Sequence, residues 1–313
     1  MPLDPLVKAF LDRAAQIPRP KVWDVPPALV RQSFSGMMQI TGAKDVAVGK
    51  VENLEIPGPE GALRARSYAP VAAVGPLPTL IYFHGGGFVA GSLESHDGLC
   101  RLFTAEGGFK VIALDYRLAP EHPWPAAVDD AWAAVQWIEQ NAASLGVDAG
   151  RIAVGGDSAG GMLAAIVTQL ARDKGGVQIA YQLLLFPNTQ MGGETSSLNE
   201  FAVGYFLERR AIEYFNSLYL PPGTDPSAPK VSPLRAKNFS GLPPAYVMLG
   251  GYDPLHDEGQ AYADKLRAAG VEVTVADYAD MVHGFIYLQT VLPQAHAAVT
   301  GAAKAVKKAL DAA

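Results

Sequence analysis

Residues 155–161 read G-G-D-S-A-G-G and place Ser158 among closely spaced glycines. A short β-branched run at 151–154 leads into them, and a helical pattern follows at once. A tight strand-to-helix turn of this kind strains the serine backbone, and glycines avoid collisions with the neighbouring elements. The hydroxyl is then presented at the positive end of a helix, so Ser158 is the candidate nucleophile. The motif alone would also fit a serine whose only role is to cap the N-terminus of the helix.

A second glycine cluster, H-G-G-G at residues 84–87, follows a buried apolar run. Nucleophilic attack on a carbonyl puts negative charge on its oxygen, and preorganised backbone N–H groups stabilise that charge by about 3–4 kcal/mol each. The amide of Ala159, directly after the nucleophile, is the other expected donor. A phosphate-binding loop is disfavoured, because no Lys-Ser/Thr pair and no G-x-G-x-x-G spacing follows. His84 precedes Ser158, and we expect it to orient the loop.

The general base is sought among the histidines that follow Ser158, because a nucleophile on such a turn precedes its acid and its histidine in the chain. His283 follows the last predicted strand, at 271–276, in a loop that can reach the serine. His256 begins a helix beside acidic residues, which suits a capping or ion-pair role, and His296 lies in the terminal helix. His283 is therefore the candidate base.

The acid that orients this histidine must follow a strand and precede His283. Asp253 leaves the predicted strand 245–249 and meets both conditions. Its role would be to hold the histidine tautomer and to stabilise the imidazolium without taking the proton. Other carboxylates fit less well. Asp257 and Glu258 are helical, and we expect them to act in salt bridges or as caps. Asp277 and Asp280 lie too close to His283 in sequence to be the first choice.

The elements that must position these residues alternate between strand and helix from about residue 51. This alternation predicts an α/β fold with a mostly parallel sheet and helices on both faces. Two helical segments, residues 1–45 and 188–232, do not fit it, and we expect them to pack as a cap at the carboxyl edge of the sheet. The expected domains are 1–45 (N-terminal cap helices), 46–187 (first part of the catalytic core), 188–232 (cap insertion, with an aromatic helix at 201–219) and 233–313 (second part of the core).

Composition excludes several classes of protein. The net charge is −6, which is unlike a basic nucleic-acid-binding surface. The single cysteine, Cys100, excludes an internal disulfide and a cysteine-based zinc site, and we expect it to be a small buried apolar residue. Charged residues interrupt the N-terminus, and no apolar run reaches the ~18 residues of a membrane span. A soluble, cytoplasmic protein is the expectation.

Taken together and in order, five motifs carry a family resemblance: H-G-G-G at 84–87, D-Y-R-L-A-P-E at 115–121, G-D-S-A-G-G at 156–161, D-P-L at 253–255 and H-G-F at 283–285. The chain resembles the bacterial hormone-sensitive-lipase-like esterases (family IV, GDSAG subgroup) of the α/β-hydrolase superfamily. The resemblance covers nearly the whole chain from about residue 50. The first 45 residues resemble the family's cap in kind only.

The resemblance implies an eight-stranded sheet and hydrolysis of short to medium chain acyl esters. It carries over Ser158, Asp253 and His283 as the catalytic triad, and Gly86, Gly87 and Ala159 as the oxyanion donors. This chemistry needs no metal or organic cofactor, and the expected partner is a small-molecule ester. Members of this family are often dimers through the edge strand and the terminal helix, so a homodimer is an expectation. In the 115–121 signature we expect Arg117 to pair with Glu121.

Two alternatives to an esterase remain open at this stage. A thioesterase, amidase or peptidase would use the same triad and would differ only in its substrate pockets. A non-catalytic binding protein is the other, because relatives in this family include plant hormone receptors that keep the fold and lose the histidine. The presence of both Ser158 and His283 argues against that second alternative.

Overall fold

The computed structural model describes all residues, 1–313. One sheet of eight strands forms the centre of the molecule, as the resemblance implied. The strands are β1 (Lys50–Gly58), β2 (Gly61–Ala69), β3 (Leu77–Phe83), β4 (Lys110–Asp115), β5 (Val147–Asp157), β6 (Tyr181–Leu185), β7 (Ala245–Tyr252) and β8 (Val273–Val282). Their order across the sheet is β1-β2-β4-β3-β5-β6-β7-β8.

Ten α-helices connect and cover the strands. They are α1 (Pro5–Gln16), α2 (Pro27–Thr41), α3 (Leu93–Gly107), α4 (Ala126–Gln140), α5 (Ala142–Leu145), α6 (Ala159–Lys174), α7 (Ser196–Glu200), α8 (Arg209–Tyr219), α9 (His256–Ala268) and α10 (Pro293–Ala312). No helix is both long and apolar enough to cross a bilayer.

The strand pairing explains where a site can form. β2 is the only strand that runs opposite to the others, and the pairs from β4 to β8 are parallel, so their carboxyl ends share one edge. Phe83 at the end of β3 pairs with Gly156 in β5. The segments that follow these two strands, the glycine loop and the Ser158 turn, therefore leave the sheet side by side.

An apolar layer fills each side of the sheet. Helices α4, α6 and α9 contribute to one layer, and α3 and α10 to the other, where Cys100 lies fully buried as expected. Helix α6 begins very close to β3, since a Cβ added to Gly160 would lie 1.9 Å from the carbonyl oxygen of Phe83. Gly160, the second residue of α6, is thus restricted to glycine by close packing.

Two predicted elements have different bounds in the structure. The aromatic helix expected at 201–219 is helical only from Arg209, because Gly204 (φ +91°) and Phe206 (φ +72°) turn the preceding chain. The last strand was expected at 271–276 but runs from Val273 to Val282, so it ends directly at the candidate base. Here sheet pairing with β7 extends the strand past Asp277 and Asp280, although aspartate is disfavoured in strands.

The expected Arg117–Glu121 ion pair is wrong. Arg117 donates to the carboxylate of Asp130, which is fully buried on α4, at 2.8–3.1 Å. Glu121 instead accepts from Arg31 of helix α2. A buried carboxylate requires a paired partner more strongly than an exposed one, which explains why Asp130 takes the guanidinium.

Candidate active site

Ser158 lies between the end of β5 and the start of α6, on the turn that its motif predicted. Its backbone has φ +54° and ψ −117°, a strained combination for a residue with a side chain. The amide of Ser158 donates to the carbonyl oxygen of Leu185 at 2.8 Å, and its own carbonyl accepts from Asn188 at 3.2 Å. These bonds to β6 and the following loop hold the strained turn in place.

Ser158, His283 and Asp253 form one hydrogen-bonded chain. Nε2 of His283 lies 3.1 Å from Oγ of Ser158, and its Nδ1 lies 2.7 Å from Oδ2 of Asp253. The other oxygen of Asp253 accepts the backbone N–H of Leu255 at 2.8 Å. Asp253 is fully buried, His283 is 5% exposed, and the ring of Phe186 packs edge-on against the imidazole. This arrangement can move a proton away from the serine hydroxyl.

The other histidines and acids weighed as alternatives lie elsewhere. His256 contacts Asp257 and Asp277, and His296 lies near Glu106 on the surface. Asp257 accepts the N–H of Ser197, and Asp280 accepts no hydrogen bond through its side chain. None of these groups contacts Ser158 or His283.

Glu258 was expected in a capping or salt-bridge role, and the structure contradicts this. It is buried and accepts the backbone N–H groups of Thr189 and Gln190, at 2.6 and 3.2 Å. Burial raises its pKa to about 8, helped by the nearby charge of Asp253, although the two N–H groups act in the opposite direction. Glu258 therefore supports the loop after β6 from beneath.

The glycine loop lies beside the serine. Gly86 (φ +121°) and Gly87 (φ +62°) both have left-handed backbone angles. A Cβ at Gly86 would lie 2.3 Å from the Ala90 carbonyl oxygen, and one at Gly87 would lie 2.6 Å from the ring of Phe215. Neither glycine amide donates to an acceptor within the protein. Both residues line the same cavity as Ser158, Ala159 and His283, so their N–H groups are available to a negatively charged oxygen there.

A largely apolar cavity of about 650 Å³ opens above the serine. The segments expected as a cap supply much of its wall, including residues of α1, α2 and α8. Sequence reasoning missed Asn188 and Met191, which also line it. They follow β6 without any motif of their own, and only the topology brings them to the serine.

A buried polar cluster lies behind the glycine loop. Asp157, directly before the nucleophile, accepts hydrogen bonds from the hydroxyls of Tyr82 and Tyr287. His84 lies in the same region, and its Nδ1 donates to the carbonyl oxygen of Gly85 at 2.8 Å. In the sequence, the only sign of a role for Asp157 was its position inside the G-D-S-A-G motif. No group of three His, Cys, Asp or Glu side chains is arranged to hold a metal ion.

Comparisons with known proteins agree with this geometry. Residues 80–287 match the family model described as the alpha/beta hydrolase fold. The chain is 47% identical to the carboxylic ester hydrolase LipN of Mycobacterium tuberculosis over 76% of its own length and 65% of LipN, so it spans less than two thirds of that relative. It is 45% identical to esterase LipI of the same organism, over 79% of this chain and 78% of LipI.

Solved structures show the same likeness. The ester hydrolase EH1AB1 from the metagenome of Lake Arreo superimposes with a TM-score of 0.95, at 44% identity and with 98% of both chains covered. The match includes the N-terminal helices as well as the sheet. The chain therefore belongs to the α/β-hydrolase fold family, as one of its bacterial hormone-sensitive-lipase-like esterases.

Proposed function

We propose that this protein is a carboxylesterase that hydrolyses short to medium chain acyl esters through an acyl-enzyme on Ser158. The observation that carries the proposal is the hydrogen-bonded chain from Ser158 through His283 to Asp253, which opens into an apolar cavity. The names of the relatives, esterase and carboxylic ester hydrolase, support the same reaction.

In the acylation step, Oγ of Ser158 attacks the ester carbonyl carbon while Nε2 of His283 takes the hydroxyl proton. Asp253 holds the proton on Nδ1 and stabilises the imidazolium. When the tetrahedral intermediate collapses, His283 passes its proton to the departing alcohol oxygen. Water then attacks the acyl-enzyme with His283 again as the base, and the acid and free Ser158 are released.

The negative charge of both tetrahedral intermediates would be held by three backbone amides, those of Gly86, Gly87 and Ala159. The first two have no acceptor in the protein, and the third lies at the first position of α6, where helix amides lack intrahelical partners. A helix N-terminus also carries partial positive charge, which favours an anion at this point.

Substrate selection is assigned to residues 1–45 and 188–232, which we propose to act as a cap on the two core parts, 46–187 and 233–313. Phe206, Ala211, Ile212 and Phe215 line the cavity from the second segment. A cavity of about 650 Å³ walled by such side chains suits acyl chains of short to medium length.

The test is a series of p-nitrophenyl esters from acetate to palmitate, with a thioester and an anilide of the preferred acyl group. We expect kcat/KM to be highest for short chains and the ester to be cleaved much faster than the anilide. A rate that rises steadily from butyrate to palmitate would contradict the chain-length assignment. Faster cleavage of the thioester or anilide would transfer the assignment to those reactions.

We also propose a cytoplasmic location, which is consistent with a single buried cysteine and no disulfide. The proposed assembly is a homodimer. It is supported by β8, a strand at the edge of the sheet that is paired on one side only.

A further inference from the structure

The carboxylate of Asp157 lies fully buried behind the proposed oxyanion donors. Its Oδ1 accepts the hydroxyl of Tyr82 at 2.6 Å, and its Oδ2 accepts the hydroxyl of Tyr287. A Cβ added to Gly85 would lie only 2.1 Å from Oδ2, so the carboxylate packs against the first glycine of the loop. A charge at this position is close to any negative oxygen that the Gly86 amide would bind.

His96 of α3 faces this carboxylate and is 1% exposed. Its Nε2 lies 3.4 Å from Oδ2 of Asp157, and its Nδ1 lies 2.9 Å from Oγ of Ser95. Oγ of Ser95 also lies 3.0 Å from the carbonyl oxygen of Ser92, so its one hydroxyl hydrogen can serve either that oxygen or Nδ1. With the hydroxyl donating to Ser92, Oγ accepts an N–H from the imidazole, and Nδ1 carries a proton. A neutral ring with that proton would aim the Nε2 lone pair at a carboxylate.

No other cation compensates Asp157. The titratable groups around His96 are Tyr82 and His84 from β3 and its loop, Asp157 from β5, Tyr287 from the turn after β8, and Asp97 and Cys100 from α3 itself. From helix α2, the ring of Phe34 packs against His96. Burial, together with the neighbouring His96, lowers the pKa of His84 to about 3, so His84 is uncharged.

The electrostatics of Asp157 agree with a compensating proton at His96. Burial acts to raise the pKa of its carboxyl, but His96 and the hydroxyls of Tyr287 and Tyr82 outweigh it, and the pKa lies below its ordinary value. Asp97, the nearest other acid on α3, is already paired with Arg66 and Arg101.

We propose that the buried Nε2 of His96, which has no hydrogen-bond partner and faces Oδ2 of Asp157 at 3.4 Å, carries a proton, so that the cluster behind the glycine loop is electrically neutral while Ser158 reacts. The inference rests on the proposed esterase function. Without this proton, an unpaired carboxylate behind the loop would repel the developing oxyanion in a poorly solvated site. His96 and Asp157 are positioning residues, because they act on the reacting oxygen through the charge they place near it.

A double-mutant cycle tests the proposal. His96→Gln keeps a neutral donor near Asp157 but cannot supply a charge, and we expect kcat for a short p-nitrophenyl ester to fall at least about tenfold with KM little changed. Adding Asp157→Asn makes both groups uncharged, and we expect kcat to return to within about threefold of the native enzyme. A packing role predicts instead that the double variant is as slow as the single variant or slower, which would overturn the proposal.

A measurement on the native protein decides the matter even if a variant fails to fold. Nitrogen NMR of the histidine side chains at pH 7 should show both ring nitrogens of His96 protonated. A ring with only one protonated nitrogen, whichever it is, would leave the charge of Asp157 uncompensated and would overturn the proposal. If the native protein cleaves no ester, the proposed function fails, while the NMR spectrum still reports which nitrogens of His96 are protonated.

Discussion

At the scale of single residues, the proposed chemistry depends on a few side chains whose protonation is set by burial. Ser158 is strained, with φ +54°, and is held by backbone bonds to the end of β6 and to the loop that follows it. The same segment rests on Glu258, whose carboxyl accepts two of its N–H groups. Because burial raises the pKa of Glu258 to about 8, this support carries a proton at neutral pH.

Glu258 makes the stability of the protein depend on pH. Its pKa rises from 4.5 to about 8 on folding, so between these values the folded state binds more protons than the unfolded state. Its contribution to the free energy of unfolding therefore falls as pH rises through this window, by up to about 1.4 kcal/mol per pH unit, and levels off above it. Glu258→Gln mimics the protonated form and should gain stability relative to the native protein between pH 5 and pH 8.

Denaturant unfolding across this pH range checks the Glu258 prediction. Glu200→Gln, at an exposed side chain with no hydrogen-bond partner, is the matched control and should leave the pH dependence unchanged. Parallel stability curves for the native protein and Glu258→Gln would show that Glu258 is ionised throughout, contrary to the prediction.

The residues of the site could be predicted from the sequence to differing degrees. Ser158, Asp253 and His283 each follow a strand, and their chain order restricts the choice among six histidines. His96 and Glu258 could not be found this way. Each lies on an ordinary amphipathic helix, and only tertiary packing turns the side chain toward a buried partner.

At the scale of elements, the site exists because two loops leave adjacent parallel strands. The register of β3 with β5 sets the glycine loop beside the Ser158 turn, and the close approach of α6 to β3 fixes the position of the helix that follows. The alternation of strands and helices predicted this sheet well. It did not predict the break at Gly204 and Phe206, because an aromatic stripe fits a helix whether or not the chain turns within it.

Gly160→Ala tests the contact between α6 and β3. A methyl group would lie 1.9 Å from the Phe83 carbonyl oxygen, which is backbone and cannot swing away. We expect the free energy of unfolding to decrease by about 3 kcal/mol or more. Gly301→Ala in α10 is the control: nothing lies within 4 Å of its added methyl group, and the substitution should raise stability by about 0.5–1 kcal/mol. Equal effects at the two sites in urea unfolding would contradict this view of the contact.

At the scale of the whole molecule, the N-terminal helices are tied to the core near the site. Arg31 of α2 donates to the carbonyl oxygens of Val89 and Ala119, at 2.8 and 2.9 Å, and to the carboxylate of Glu121. Its side chain thus joins the segment above the cavity to the end of the glycine loop. From the sequence we expected Glu121 to pair with Arg117, because no local pattern in the sequence shows where α2 packs.

Arg31→Leu should decrease the free energy of unfolding by about 2 kcal/mol, because two backbone carbonyls lose a charged donor. Lys8→Leu removes an exposed pair with Asp12 on α1 and should change stability by less than about 0.5 kcal/mol. Thermal unfolding of both variants is the measurement. A small effect for Arg31→Leu would mean that α2 is held by its apolar contacts alone.

The most direct test of the central claim compares the native protein with Ser158→Ala in the hydrolysis of p-nitrophenyl butyrate. We expect kcat/KM to fall about 10⁴-fold or more while the melting temperature and the fold are retained. Substantial activity in Ser158→Ala would mean that another residue attacks the ester, and it would contradict the assignment of Ser158 as the nucleophile.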